Sequence, residues 1–212
     1  PLAKYAAQIS AGLKIKDLKI NKNYKNLIAV KKPVFPFNKF PQQNIFLSPE
    51  MKSTGEAIGF DSKLGSAFAK AEFSAGSYLP IKGTVFISVN NNDKMKSISI
   101  ARDFEDLGFN VVATSGTSNL LNQNGVFSKT IFKVGEGRPN IVDAIKNKEI
   151  NIIINTPFGG AAREDEYKIG RAAIRYKIPV FTTISGAKAA IRAIQTIKLG
   201  NFKYRSLQEI FS

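Results

Sequence analysis

Phe109-Asn110-Val111-Val112-Ala113-Thr114-Ser115-Gly116-Thr117 is the stretch that decides the fold. A short apolar run gives way to a turn of hydroxyls around one glycine, and Asn119-Leu120-Leu121 follows. The pattern is that of a buried strand, a tight loop and a helix start. At such a junction backbone N–H groups, hydroxyls and the positive end of a helix dipole converge on one spot, which suits a phosphate. In the simpler alternative, Thr and Ser only cap the helix.

Outward from this turn the chain alternates. Strands are predicted over 84–89, 110–113, 129–134, 150–155 and 180–183, with helices over 94–107, from the turn to 123, and over 140–147, 165–176 and 186–199. Gly108 and Gly125 follow two of the helices, as C-terminal stops do. Apolar strands alternating with helices predict an α/β, Rossmann-like fold: a parallel five-stranded sheet with helices on both faces.

Residues 1–80 are less regular. Leu2–Gly12 and 62–73 have helical spacing, and Leu27-Ile28-Ala29-Val30 is a strand candidate. Pro33-Val34-Phe35-Pro36-Phe37-Asn38-Lys39-Phe40-Pro41 carries three prolines, which suit an edge strand and turn and exclude a helix interior or a central strand. So few long apolar elements cannot close a core, so 1–80 is expected to be the end of a domain whose body lies elsewhere, with a boundary near 79–82. The start at Pro1, without a charged n-region or a long apolar stretch, suggests a fragment with neither signal peptide nor membrane span.

Composition narrows the chemistry. The 212 residues include no Cys and no His, which removes disulfides, thiol chemistry, the usual zinc ligands and the commonest general base. The net charge of +15 raises nucleic acid as a partner. It is spread evenly, however, with 12 Lys against 5 acids in residues 1–80, and no basic run is interleaved with aromatics. A solvated basic surface accounts for it, and no nucleic-acid or membrane partner is expected.

In an open parallel sheet, ligands bind beyond the carboxyl ends of the strands. The polar groups there are Asn90 to Lys94, Thr114 to Thr117, Lys133 with the Gly135–Arg138 loop, Asn155-Thr156 and Thr182-Thr183. Two lysines, several hydroxyls, an amide and glycine-bearing loops fit a phosphorylated small molecule.

Phe35-Pro36-Phe37-Asn38-Lys39-Phe40, Pro-Glu-Met-Lys-Ser-Thr-Gly-Glu at 49–56, Gly-Glu-Gly-Arg-Pro-Asn-Ile at 135–141 and Ile154-Asn155-Thr156 resemble the C-terminal end of the large subunit of carbamoyl-phosphate synthase. The resemblance covers nearly the whole chain. It implies that residues 1–80 are the C-terminal remnant of an ATP-grasp synthetase domain, an incomplete α+β piece, and that 82–212 form a methylglyoxal-synthase-like allosteric regulatory domain. The family enzyme makes carbamoyl phosphate from bicarbonate, glutamine-derived ammonia and two ATP, for pyrimidine and arginine synthesis. It is cytoplasmic and uses ATP with Mg or Mn, none of which is implied for this fragment. The implied partners are the rest of the large subunit, a glutaminase small subunit, further copies of the chain, and the effectors UMP (inhibiting) and IMP (activating).

By position in the motifs, Lys94, Thr114, Thr117 and Lys133 would hold the effector phosphate, and Asn155 and Thr156 the base or ribose. No residue of the fragment is implied to be catalytic or to bind metal. Two departures stand out. Relatives often have Asn-Thr-Thr where this chain has Asn155-Thr156-Pro157, one hydroxyl fewer. Ornithine-activated relatives carry a glutamate just before Pro-Phe-Asn-Lys-Phe, where this chain reads Val30-Lys31-Lys32. Thr182 matches an ornithine contact of the regulatory domain, but a cation at Lys32 repels the ornithine amine, so ornithine activation is expected to be weak.

The alternatives are a methylglyoxal-synthase-like enzyme and a purely structural oligomerisation domain. The first needs an aspartate base and, in its relatives, a histidine, whereas the 156–162 loop offers Pro, Phe, Gly and Ala. Glu164, Asp165 and Glu166 are expected as first-turn acids of a helix.

Overall fold

The computed structural model describes residues 2–20, 27–37, 39, 45, 50–156, 162–200, 203–206 and 208–209, without the side chains of 162–164. Its larger part is a five-stranded parallel sheet. The strands are β3 (Gly83–Val89), β4 (Phe109–Thr114), β5 (Lys129–Ile131), β6 (Ile152–Thr156) and β7 (Val180–Phe181), in spatial order β5-β4-β3-β6-β7. The chain builds outward from β3 through β4 to β5, then returns to the other side of β3 for β6 and β7. The switch point therefore lies between β3 and β6.

Five helices cover this sheet: α3 (Lys94–Asp106), α4 (Ser115–Gln123), α5 (Ile141–Lys146), α6 (Ala162–Tyr176) and α7 (Ile184–Lys198). Along β3 successive side chains point to opposite faces. Val85 and Ile87 join Ile100, Phe104, Leu121 and Ile194 from α3, α4 and α7, whereas Phe86 joins Ile141, Ile145 and Ile169 from α5 and α6. All three β3 residues are fully buried, which is why Val85-Phe86-Ile87 is a continuous apolar run rather than an alternating one. Gly108 and Gly125 end α3 and α4 in the left-handed region, with φ of 79° and 74°, where a β-carbon is strained.

The N-terminal residues form α1 (Leu2–Ser10), a two-stranded antiparallel sheet of β1 (Ile28–Val34) and β2 (Gly55–Asp61), and α2 (Leu64–Ser74), which packs on both strands and along α7. The close approach to α7 falls at Gly65, where an added β-carbon would stand 2.5 Å from the Arg192 carbonyl oxygen.

Several boundaries differ from expectation. β2 does not show in the sequence pattern, because two glycines interrupt it and its partner β1 lies far back in the chain. Pro33 sits inside β1, in a two-stranded sheet that has only edge strands. β5 and β7, the sheet edges, are shorter than the strands predicted over 129–134 and 180–183. α6 and α7 start earlier, at Ala162 and Ile184, with Thr183 capping α7 through the Gly186 N–H. Parts of the Pro33–Pro41 turn, Phe46–Pro49 of the second motif region, and Pro157 with its loop lie outside the described residues.

Candidate functional site

β4 delivers Thr114 to the carboxyl end of the sheet beside the central strand, and α4 begins at the next residue. Thr114 holds the N-cap position in extended conformation, yet its hydroxyl makes no capping hydrogen bond. Its Oγ1 instead donates to Thr117 Oγ1 over a long 3.5 Å, with both residues buried. The simple capping role is therefore not what Thr114 performs. The first turn of α4 keeps its positive end, worth roughly half a unit charge, with hydroxyls beside it.

Lys94 opens α3 on the neighbouring loop and stands over this turn: a β-carbon built on Gly116 would lie 3.1 Å from Lys94 Nζ. Among the described residues Lys94 Nζ has no hydrogen-bond or ion-pair partner. A cation aimed at a helix N-terminus is repelled by it unless an anion lies between them. Lys94, Thr114, Thr117 and the bare backbone of Gly116 thus gather a cation, two hydroxyls and a helix N-terminus at one point, a cradle whose chemistry suits an anion.

Asn90, just past β3, latches the cradle to the switch point. Its Oδ1 accepts from the N–H groups of Asn92 and Asp93, and its Nδ2 donates to the Thr156 carbonyl at 3.0 Å and to Thr156 Oγ1 at 3.2 Å. The Thr156 hydroxyl is therefore already engaged, and both Asn155 and Thr156 are buried at the end of β6. Asn90 lay among the polar strand-end groups in the sequence, but its role as a latch depends on β3 lying beside β6.

The remaining residues stand apart in different ways. Lys133, two residues past β5, is exposed; its ammonium lies 3.7 Å from Glu136 Oε1 and its N–H donates to Glu136 Oε2. Between the Val134–Arg138 loop and α5 is a cleft of about 540 Å³, and there Asn140 and Asp143 complete a reciprocal capping box. Thr182 is exposed between β7 and α7. Lys32, on β1, forms an ion pair with the buried Glu72 of α2. No group of His, Cys, Asp and Glu among the described residues is placed to hold a metal, and none of their helices is long and apolar enough to cross a membrane.

The five-stranded parallel sheet has the fold of an MGS-like domain, and the family model of that domain matches residues 96–182. Around that match, over 99–100% of the chain, the sequence is similar to carbamoyl phosphate synthase large chains. It is 47% identical to those of Nostoc sp. and Archaeoglobus fulgidus, and 41% identical to the "large chain, C-terminal section" of Aquifex aeolicus. The resemblance carried by the Pro-Glu-Met-Lys-Ser-Thr-Gly-Glu and Gly-Glu-Gly-Arg-Pro-Asn-Ile motifs is thereby shown. The chain spans 19%, 20% and 44% of the lengths of these three relatives.

Proposed function

We propose that the chain is the C-terminal regulatory part of a carbamoyl-phosphate synthase large subunit, a ligase, and that it binds nucleotide effectors of the UMP and IMP type rather than doing chemistry. Residues 1–80 would then be the end of an ATP-grasp domain and 82–212 the allosteric domain. The observation that carries the reading is Lys94 held over the uncapped first turn of α4. Two positive features face one point beside buried hydroxyls, an arrangement suited to a phosphate and unfavourable without one. Lys133 would join the phosphate by leaving Glu136, an exposed pair worth little. Asn155 would face the base or ribose from the end of β6.

Regulation would be a coupling free energy between this cradle and the ATP site of the synthetase, transmitted where α7 packs on α2. The full enzyme would use ATP with Mg or Mn, act in the cytoplasm and partner a glutaminase small subunit. Ornithine would act weakly, since Lys32 holds Glu72 and presents a cation where its amine would lie. The test is steady-state kinetics of the assembled synthetase at varied ATP, with and without UMP. The apparent affinity for ATP should fall by about 5–150-fold, the range of typical couplings. An unchanged ATP response at saturating UMP and IMP would contradict the reading.

A further inference from the structure

A second cavity lies on the opposite side of the sheet domain from α7, and the effector reading does not use it. It measures about 520 Å³, within the usual range for small-molecule sites. Its apolar surface comes from Val142 of α5, Ala172 and Tyr176 of α6, and Phe37 and Ile45 of the N-terminal segment. Ile45 sits against the α6 backbone at Gly170, where an added β-carbon would fall 2.6 Å from its Cδ1. The cavity is therefore walled by both parts of the chain.

Its rim is cationic. Lys168, Arg171 and Arg175 follow one another along α6, with Lys177 beyond the helix end and Lys146 facing them from α5. No carboxylate lines the cavity among the described residues. Arg171 is steadied by Tyr167, donating to its hydroxyl at 2.8 Å with the guanidinium carbon 5.4 Å from the ring centroid. Lys146, Arg175 and Lys177 form no ion pair among the described residues. Arg171 and Arg175 stand four apart on α6, a like-charge spacing that does not favour the helix.

We propose that this cavity is a second binding site, separate from the Lys94 cradle, for an aromatic organic phosphate. The ring lies on Tyr176, Ala172 and Val142 under Phe37, and the phosphate is held by Arg175 and Lys146. Arg suits the phosphate oxygens through paired N–H donors, and Lys acts as a point charge. A ligand bound there touches both parts of the chain, through Phe37 and Ile45 on one side and α5 and α6 on the other.

The probe is 2-naphthyl phosphate, titrated by its fluorescence into the chain carrying Lys94→Ala, so that the strand-end cradle is disabled. Inorganic phosphate and 2-naphthol are the charge-only and ring-only comparisons. Naphthyl phosphate should bind at least tenfold tighter than either. Adding Lys146→Ala and Arg175→Ala, both exposed positions whose folding is checked by thermal denaturation, should weaken it about tenfold. The binding should also weaken as ionic strength rises. Affinity no better than that of inorganic phosphate, or binding indifferent to the two substitutions, would overturn the proposal. Loss of binding on Lys94→Ala alone would do the same, placing the probe in the cradle and leaving the effector reading intact.

Discussion

Asn90 and Thr156 close the switch point of the sheet: the backbone N–H and side-chain amide of Asn90 reach the Thr156 hydroxyl at 3.3 and 3.2 Å. The same amide donates to the Thr156 carbonyl at 3.0 Å. Since Lys94 begins its helix four residues after Asn90, the latch also sets where the cradle cation stands. Asn90→Ala should cost about 1–2 kcal/mol, from a lost cap and broken hydrogen bonds. Urea denaturation should show a lower midpoint with an unchanged slope, and nucleotide affinity should fall with it. Affinity untouched at reduced stability would separate the latch from the cradle.

Gly116 and Gly59 should respond in opposite ways to alanine. At Gly116 the new methyl meets only the end of a flexible lysine, at 3.1 Å. Stability should barely change, while nucleotide affinity drops several-fold as Lys94 is pushed aside. At Gly59 the methyl would fall 2.1 Å from the Ala67 carbonyl oxygen and 2.5 Å from the Ala71 nitrogen, both backbone. That variant should lose about 3 kcal/mol or more by forcing β2 off α2. Thermal melts beside calorimetric titrations distinguish the two.

Lys32→Ala should destabilise the N-terminal part by about 2–3 kcal/mol, because Glu72, with its side chain 4% exposed, is left as an unpaired buried carboxylate. Combining it with Glu72→Leu should recover most of the loss. Chemical denaturation of the two variants checks this. If Lys32→Ala costs nothing, the pair is not what keeps the cation in place.

Asp61 gives the acid side of the stability profile. Burial acts to raise its pKa, but this is outweighed by hydrogen bonds from the Lys70 ammonium and the Lys63 N–H, so the carboxyl is held below its ordinary value. A carboxyl with a lower pKa folded than unfolded adds stability above the unfolded value of about 3.9 and loses it as pH falls through the folded one. The stability difference between the native chain and Asp61→Asn should therefore be constant above about pH 5 and shrink below about pH 4. A difference that grows toward low pH would reverse the assignment.

Much of this was legible in the sequence for physical reasons. Ile152-Ile153-Ile154 and Val85-Phe86-Ile87 are buried on both faces, so their apolar runs announce central parallel strands, and Gly108 and Gly125 mark helix ends that need a positive φ. Tertiary pairing decided the rest. β2 depends on β1 and on the room Gly59 leaves for α2. β5 stops at Ile131, where its pairing with Thr114 of β4 ends, and Phe132 beyond it bridges Asn140 instead. In the site, Lys94, Thr114 and Thr117 came together as their strand-end positions implied. The Lys133–Glu136 pair and the Asn90 latch were not legible, because a charge pattern does not say which partner a side chain turns to.

The most direct test is calorimetric titration of the chain with UMP and with IMP, beside Lys94→Ala. Micromolar binding of a nucleotide that Lys94→Ala weakens at least tenfold is the predicted result. No binding of either nucleotide by the folded chain, or binding that Lys94→Ala leaves unchanged, would contradict the account.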